Sequence, residues 1–316
     1  MWSKRWSVRG LVAVVGLLSV APCMRAQDRA EVTIADSVVR PESLTSSRDG
    51  TVFFGSMARG IIYRARPGAA QAEPWIPAAT GGLTNVLGVL ADEQAGTLWV
   101  CANTSFSRDA APAGRAALLA YDLKTGAARR TYPFPNGGLC NDIAVAADGT
   151  AYASDTFGGR VLRLRRGATA LEVWAADPQI AMIDGLTLLA DGALYVNTYS
   201  TGKLLRIPIG PDGAAGPIVQ LTTSLPLAHP DGLRTVGRNV MLQAEGQGRL
   251  AEITIDGDRA EVRVIKDGLT GATAVTLVGD TAFVLVERLK AVAVPYRLGA
   301  PISAARPSAP SRLPPG

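Results

Sequence analysis

Two copies of one hairpin pattern in the middle of the chain constrain the fold more than any other feature. Segment 139–156, LCNDIAVAADGTAYASDT, starts near Asn141, runs as a short apolar strand, turns at an Asp-Gly pair and returns as a second strand. Segment 183–198, IDGLTLLADGALYVNT, has Asp184 in place of Asn141, and in both copies the turn glycine follows this anchor residue by eight positions. A pattern repeated at fixed spacing predicts a repeat architecture.

Weaker copies of the same hairpin extend the repeat over most of the chain. The anchors of the six copies are Glu42, Asn85, Asn141, Asp184, Asp231 and Thr273. Their spacings of 43, 56, 43, 47 and 42 residues suit one four-stranded unit per copy. The sequence therefore predicts an all-β, six-bladed β-propeller with four-stranded blades. A β-sandwich is the alternative, but it would not explain six similarly anchored hairpins.

The two ends of the predicted propeller are expected to meet. The N-terminal segment 31–39 has a strand pattern, and it can pair with the strand near 291–298 as the outer strand of the last blade. This pairing would close the ring and remove an exposed sheet edge. The predicted propeller spans residues 27–298, and the Pro-rich segment 299–316 is expected to be a disordered tail.

Residues 1–26 have the pattern of a signal peptide. Basic residues at the N-terminus precede an uncharged apolar run over residues 11–20. A run of ten residues is too short to span a bilayer core of about 30 Å. We therefore expect a periplasmic or secreted protein with no membrane span after signal removal, and a permanent N-terminal anchor is the alternative.

Composition supports the all-β prediction and argues against two classes of function. The chain has 34 Gly and 20 Pro, which favours frequent turns over long helices. Lys and Arg are scattered singly, so a nucleic-acid partner is not expected. The one histidine, His229, and the lack of a CxxC motif exclude a Cys/His zinc centre. Cys101 and Cys140 could form a disulfide or remain two buried free thiols.

The anchor residues carry the functional prediction. In a propeller the first strand of each blade lines the central channel, so these anchors should converge at one face. Three of them, Glu42, Asp184 and Asp231, are carboxylates, which repel one another in a channel of low dielectric unless a cation lies between them. We expect a divalent metal ion with oxygen ligands, Ca²⁺ first, with Mg²⁺, Mn²⁺ or Zn²⁺ as alternatives.

Four of these segments resemble a known family of propellers. The segments are Glu42 in PES, Asn141-Asp142 in CND, Asp184-Gly185 in IDGL and Asp231-Gly232 in HPDGL. They are similar to the channel motifs of the gluconolactonase/senescence-marker-protein (regucalcin-like) six-bladed β-propellers. The resemblance implies that Glu42, Asp184 and Asp231 hold the metal, with Asn141 beside it. It also implies a hydrolase that opens lactone rings.

The chain departs from that family at two positions. Asp184 stands where the family usually has Asn, which adds a negative charge to the metal site. Leu139 stands two residues before Asn141, where family members that open sugar lactones often carry Arg. The expected substrate is a lactone or related ester; the missing Arg argues against an aldonolactone held by such a residue, and a more apolar lactone or ester is at least as well supported.

Several residues receive provisional roles in this hydrolase. Asp231 is the expected general base, because the resemblance places the family's candidate base there, and Asn141 lies beside the metal. His229 is either an alternative base, a substrate contact or a plain loop residue. Asp142 is either a further ligand or a loop cap. Asn85 and Thr273 are expected to line the channel with Asp142.

Polar residues recur at the end of the second strand of several blades, and two roles are open for them. They could line the channel, or they could hydrogen-bond to neighbouring loops. These residues include Asn103, Asp155, Thr156, Asn197, Thr198 and Glu245.

Two functions from different classes fit these observations. The first is an exported metal-dependent hydrolase acting on a small-molecule lactone or ester. The alternative is a non-catalytic exported propeller that binds a small molecule, peptide or protein. The presence of a divalent ion that depends on Glu42 or Asp231 would separate the two.

Overall fold

The computed structural model describes residues 30–106 and 116–299. The predicted signal peptide, residues 1–26, lies outside the described residues, as does the predicted tail from residue 300 onward. Within the described ranges, none of the helices has the length and apolar character needed to cross a bilayer.

The strands of the described residues fall into consecutive antiparallel groups. An N-terminal strand, β1 (Glu31–Ile34), precedes the first group of β2 (Pro41–Ser46), β3 (Val52–Ser56), β4 (Ile62–Ala65) and β5 (Gln71–Ile76). The second and third groups are β6 (Asn85–Asp92), β7 (Thr97–Asn103), β8 (Ala116–Asp122) and β9 (Ala128–Pro133), then β10 (Cys140–Val145), β11 (Ala151–Asp155), β12 (Arg160–Leu164) and β13 (Glu172–Ala176).

The second half of the chain continues in the same way. The fourth group is β14 (Ile183–Leu188), β15 (Ala193–Thr198), β16 (Lys203–Pro208) and β17 (Val219–Gln220), followed by a short strand, β18 (Thr222–Thr223). The last strands are β19 (Pro230–Thr235), β20 (Val240–Glu245), β21 (Arg249–Asp256) and β22 (Arg259–Lys266), then β23 (Ala274–Val278), β24 (Thr281–Val286) and β25 (Lys290–Pro295). The described helical residues are the short 3₁₀ turns Thr80–Gly82 and Pro178–Ile180. The fold is therefore all-β, as predicted.

The N-terminal strand joins the two ends of the chain, as the sequence predicts. Strand β1 pairs antiparallel with β25, where Glu31 lies opposite Val292. It also pairs in parallel with β5, where Thr33 lies opposite Gln71. As a result, β2–β5 and β23–β25 belong to one eight-stranded sheet.

Aspartate-glycine turns explain why the hairpin repeats in the sequence. The Asp148 carboxylate accepts a hydrogen bond from the Thr150 backbone N–H at 2.8 Å. Gly149 between them has a φ of 86°, a conformation that glycine adopts without a steric penalty. Asp49 accepts the equivalent bond from Thr51 N–H at 2.9 Å. These side-chain bonds fix the turn type, and the turn fixes the register of each hairpin.

The first strands of the groups contact one another in a closed cycle. Strand β2 contacts β6, β6 contacts β10, β10 contacts β14, β14 contacts β19, β19 contacts β23, and β23 contacts β2. Glycines permit this close approach, since a Cβ atom at Gly88 would collide with the Asn141 carbonyl oxygen and one at Gly185 with the Asp231 carbonyl oxygen. The starts of these strands are consequently brought together.

Polar side chains at the ends of second strands hold neighbouring groups in place. Asn103 on β7 donates to the Cys140 carbonyl at 2.9 Å and accepts from the Cys140 N–H at 3.0 Å. Asn197 on β15 accepts from Gly185 N–H at 2.9 Å and donates to the Asp231 carbonyl at 2.6 Å. These asparagines bond to the backbone of first strands. Of the two roles open for these residues, the asparagines therefore have the structural one.

Cys101 and Cys140 form a disulfide between β7 and β10, with their Cα atoms 5.0 Å apart. This bond and the two Asn103 hydrogen bonds fix Cys140, the residue immediately before Asn141. The disulfide therefore stabilises the fold next to an anchor.

Removal of this disulfide should destabilise the protein. The closed segment has a sequence separation of 39 residues, and the chain-entropy model then gives a loss of about 4 kcal/mol in the free energy of unfolding. Urea unfolding of a Cys101→Ser/Cys140→Ser variant measures the loss. The reductant-treated parent protein should match this variant, and the variant should not respond to reductant. Equal stability of parent and variant in the absence of reductant would contradict the prediction.

Candidate metal centre

Three buried carboxylates meet where the first strands converge. They belong to Glu42 on β2, Asp184 on β14 and Asp231 on β19. One oxygen of each lies within 4.8 Å of the others, although 142 to 189 positions separate Glu42 from the two aspartates in the chain. The three carboxylate groups are buried, although Glu42 as a whole residue is partly exposed. The predicted clustering of these three residues is therefore observed.

A register shift in each strand places these side chains. In β2 the regular pairing breaks between Pro41 and Leu44, and in β10, β14 and β19 it breaks at the equivalent points. Such a bulge bends the strand and turns a side chain away from its regular direction. The anchor is the first residue of the shift in each of these strands.

The carboxylates face a narrow cavity. Its lining consists of Glu42, Ser43, Gly88, Asn141, Asp142, Asp184, Asp231, Gly232, Thr273 and Ala274. Its volume is about 10 Å³, which is about the room that one water needs. The cavity therefore has room for one small ion or one water.

Burial raises the pKa of each carboxyl group in this cluster. The pKa of Asp184 rises to about 7, first because the group is buried and then because the charge of Asp142 is close. Hydrogen bonds from Asp231 and Asn141 partly oppose this rise. Burial, followed by the charges of neighbouring carboxylates, also holds the pKa values of Glu42 and Asp231 well above their ordinary range. Without a cation, the folded protein therefore favours protonation of the cluster.

The donor set fits a hard divalent ion. Three carboxylates converge on the cavity, and Asn141 adds an amide that is anchored through a 2.9 Å bond from its Nδ2 to Thr156 Oγ1. Thr273 Oγ1 is buried against the same cavity and has no hydrogen-bond partner among the described residues. Buried hydroxyls are normally satisfied, so this oxygen is a position for an ion or an ordered water. Oxygen donors of these kinds are the ligands that Ca²⁺ and Mg²⁺ prefer.

Asn85 does not occupy the position in its strand that the other anchors occupy in theirs. In β6 the register shifts between Val86 and Val89, so the residue equivalent to the other anchors is Leu87. Asn85 pairs with Asn103 in the β6–β7 ladder and does not belong to the lining of the cavity described above. The other six expected channel residues all line it, namely Glu42, Asn141, Asp142, Asp184, Asp231 and Thr273.

Asp142 has a partner that the sequence did not reveal. Arg234 Nη1 donates to Asp142 Oδ2 at 2.9 Å, and both guanidinium Nη atoms lie 3.2 Å from Oδ1. Asp142 Oδ2 also accepts from the Leu186 N–H at 3.4 Å. Asp142 thus lies in the cavity wall, as expected, and forms one half of an ion pair that was not predicted.

His229 lies just outside the carboxylate cluster. Its ring stacks on Tyr199, with centroids 5.1 Å apart and planes inclined by 14°. His229 has a φ of 53°, and its carbonyl accepts from Gly246 N–H at 2.8 Å. The charges of Asp231 and Asp184 add to burial in raising the pKa of Tyr199, so the stacked pair lies near the cluster. Sequence reasoning singled out His229 but missed Tyr199.

The loop that carries His229 is held by a buried acid. Glu245 Oε2 accepts from the Ala228 N–H at 3.0 Å and from Arg249 Nε at 2.8 Å. A non-glycine residue with positive φ persists only where surrounding bonds fix it. The position of the imidazole is therefore determined by the fold.

Comparisons with known proteins bear on the fold. No protein-family model matches the chain, and no curated protein matches it. Similar solved structures include a gluconolactonase from Xanthomonas campestris, with a TM-score of 0.61, 19% identity and coverage of 86% of this chain and 88% of that one. A catalytically inactive virginiamycin B lyase from Staphylococcus aureus has a TM-score of 0.60, 17% identity and coverage of 83% of both chains.

A third similar structure is a luciferin-regenerating enzyme, with a TM-score of 0.61, 13% identity and coverage of 85% of this chain and 93% of that one. Identities in this range show a shared fold and leave the activity open. The gluconolactonase and the luciferin-regenerating enzyme are propeller-type neighbours, and their likeness to this chain is one of fold. The chain is therefore an all-β protein with a propeller-type fold.

Proposed function

We propose that this protein is an exported, metal-dependent hydrolase that opens a lactone or a related ester. The observation that carries the proposal is the meeting of the Glu42, Asp184 and Asp231 carboxylates in one buried cavity. A protein would not retain three buried like charges for stability, because each one costs desolvation energy. Such a cluster is expected where a cation and a reaction require it.

The proposal includes a ring of six blades with the cavity on its axis. The pairing of β1 with β25 supports it, because that pair completes a four-stranded group with β23 and β24. The closed cycle of contacts from β2 through β6, β10, β14, β19 and β23 also supports it.

Glu42, Asp184 and Asp231 would hold the ion, with Asn141 and Thr273 beside it. Ca²⁺ is the first candidate, and Mg²⁺, Mn²⁺ and Zn²⁺ are the alternatives. When bound, such an ion would polarise a carbonyl group and stabilise negative charge on its oxygen.

Asp231 would act as the general base. Its carboxylate lies in the same cavity as the other two acids, and beside a bound ion it would be ionised and able to accept a proton. It would take a proton from water as the water oxygen attacks the carbonyl carbon. The carbon–oxygen bond of the ester or lactone ring then breaks, and Asp231 returns the proton to the departing alkoxide.

The substrate would carry its more apolar part near the mouth of the cavity. Leu139 is buried two residues before Asn141, where a sugar-binding Arg would be expected from the family resemblance. The stacked rings of His229 and Tyr199 offer a flat wall beside the cluster. We therefore favour His229 as a substrate contact, and an apolar lactone or aryl ester as substrate.

Export is supported by two independent observations. The N-terminal sequence has the pattern of a signal peptide. The Cys101–Cys140 disulfide is typical of oxidising compartments such as the periplasm or the extracellular space.

Ion binding should reverse the pH dependence of stability. In ion-free protein the pKa of Asp184 is about 7 when folded, against about 3.9 in an unfolded chain. Between these values the folded state binds more protons, so the free energy of unfolding should fall as pH rises from about 4 to about 7. Added Ca²⁺ should stabilise the protein more at pH 8 than at pH 5, because protons compete with the ion.

Urea unfolding at pH 5 and pH 8, with chelator or Ca²⁺, measures both effects. In ion-free protein, Asp184→Asn should reduce the fall in the free energy of unfolding with rising pH by a few kcal/mol, since each pKa unit is worth about 1.4 kcal/mol. It should also abolish most of the stabilisation by Ca²⁺. The exposed Glu261→Gln is the matched control and should change neither quantity. An unchanged pH profile in Asp184→Asn would refute the expected electrostatic repulsion.

Hydrolysis should depend on Asp231 and on the ion. With a panel of γ- and δ-lactones and aryl esters, Asp231→Asn should lower kcat/KM by about 10² to 10⁴-fold, the usual range for loss of a general base. A chelator should abolish turnover, and returned Ca²⁺ should restore it. Asn85→Ala should keep full activity, because Leu87 and not Asn85 is equivalent to the other anchors in its strand. Saturable binding of these compounds without turnover would instead favour the non-catalytic binder.

A further inference from the structure

Arg234 joins three of the first strands beneath the carboxylate cluster. It belongs to β19, and its guanidinium reaches Asp142 on β10 and the Val89 carbonyl on β6, at 3.3 Å from Nη2. Its Nη1 also donates to the Leu233 carbonyl at 2.6 Å. Since β14 lies between β19 and β10 in the cycle of contacts, the side chain spans the space enclosed by these strands.

Stability alone does not account for this arginine. Its side chain is 12% exposed, and Nε is buried with no hydrogen-bond partner among the described residues. A buried donor without a partner costs about 1–3 kcal/mol. Replacement of a buried ion pair by apolar residues is often neutral or stabilising. The pair with Asp142 is therefore expected to serve the neighbouring cavity.

Asp142 is electrostatically part of that cavity. It lines the cavity with the other three carboxylates, and its charge contributes to the raised pKa values of Glu42, Asp184 and Asp231. Arg234 acts in the opposite direction on Glu42. Both oxygens of Asp142 accept hydrogen bonds from Arg234, so an ion in the cavity would meet neither oxygen without its arginine partner.

The guanidinium group is well suited to this position. Arg carries a fixed charge and a planar fork of donors that matches both oxygens of a carboxylate, whereas Lys offers a single charged point. Four carboxylates line the cavity, and the arginine balances one of them. The remaining three face the proposed divalent ion.

We propose that Arg234 is a positioning residue that holds Asp142 out of the coordination shell of the ion and lowers the affinity of the site for divalent cations. This inference rests on the proposed ion site. It adds that the positive charge of the Arg234 side chain sets the affinity of the site. The ion is then held by three carboxylates instead of four.

Isothermal titration of the ion-free protein with Ca²⁺ at pH 8 tests the proposal without reference to activity. Arg234→Met removes the charge and the donors at similar length, and it should tighten Ca²⁺ binding about tenfold or more by freeing the charge of Asp142. Asp142→Asn should weaken binding by about tenfold, because Arg234 is then unbalanced. The double variant Arg234→Met/Asp142→Asn should return to within about threefold of the parent.

The controls separate this role from a purely structural one. Arg263 pairs with buried Glu252 on neighbouring strands away from the cavity lining, so Arg263→Met should lower stability and leave Ca²⁺ affinity unchanged. Circular dichroism and cooperative unfolding establish which variants fold. If Arg234→Met does not fold, Asp142→Asn and the double variant still carry the test.

The outcomes are distinct for the two proposals. Ca²⁺ affinity that is equal in the parent, Arg234→Met and Asp142→Asn would overturn the role of Arg234 and leave the ion site intact. A parent protein that binds no divalent ion would overturn the ion site, and the role of Arg234 with it. Lactone hydrolysis does not enter either result.

Discussion

Mutual repulsion of buried carboxylates is the constraint on which the rest of this structure depends. Glu42, Asp184 and Asp231 share a space about the size of one water, and their pKa values are raised because neither water nor a fully matched set of positive groups compensates their charge. Such a cluster is held only if the surrounding backbone cannot relax. The fold must therefore supply rigidity at the starts of the first strands.

That rigidity comes from bonds between neighbouring groups of strands. Asn103 holds the Cys140 backbone, Asn197 links Gly185 to Asp231, and Ser154 Oγ donates to the Asp184 carbonyl at 2.7 Å. Each bond runs from a second strand to the first strand that follows along the chain. A shift of the backbone at Asp184 or Asp231 would break its bond to the preceding group of strands, so the fold fixes these two residues relative to their neighbours.

Local chemistry made most of this predictable, and long-range geometry accounts for the failures. The Asp-Gly turns reveal the hairpins, and counting back eight residues from the turn finds Glu42, Asn141 and Asp184 because their hairpins have equal lengths. In β6–β7 the turn is longer and the strand contains a register shift, so the same count arrived at Asn85 instead of Leu87. Gly88, which the neighbouring strand requires, was the sequence signal for the correct position.

No feature of the sequence indicated Arg234 as the partner of Asp142. Arg234 is 92 residues away in the chain. The three residues before it on β19, Asp231, Gly232 and Leu233, fit the repeated pattern whichever residue follows them. Only the closed arrangement of first strands brings its guanidinium to β10. The disulfide between Cys101 and Cys140 was open for the same reason, since pairing depends on the contact between β7 and β10.

The division between channel and mouth also explains how one fold serves different reactions. Similar solved structures include a gluconolactonase and a virginiamycin B lyase, so the fold leaves the reaction undetermined. The proposed base, Asp231, would take a proton from water in a hydrolysis, and a base in the same place would take one from a carbon atom of the substrate in an elimination. The group presented to it depends on how the substrate lies against the wall at the mouth. In the proposed function that wall would contain the stacked rings of His229 and Tyr199, whose loop is held by Glu245 through Ala228, and it would determine which bond of the substrate reaches the base.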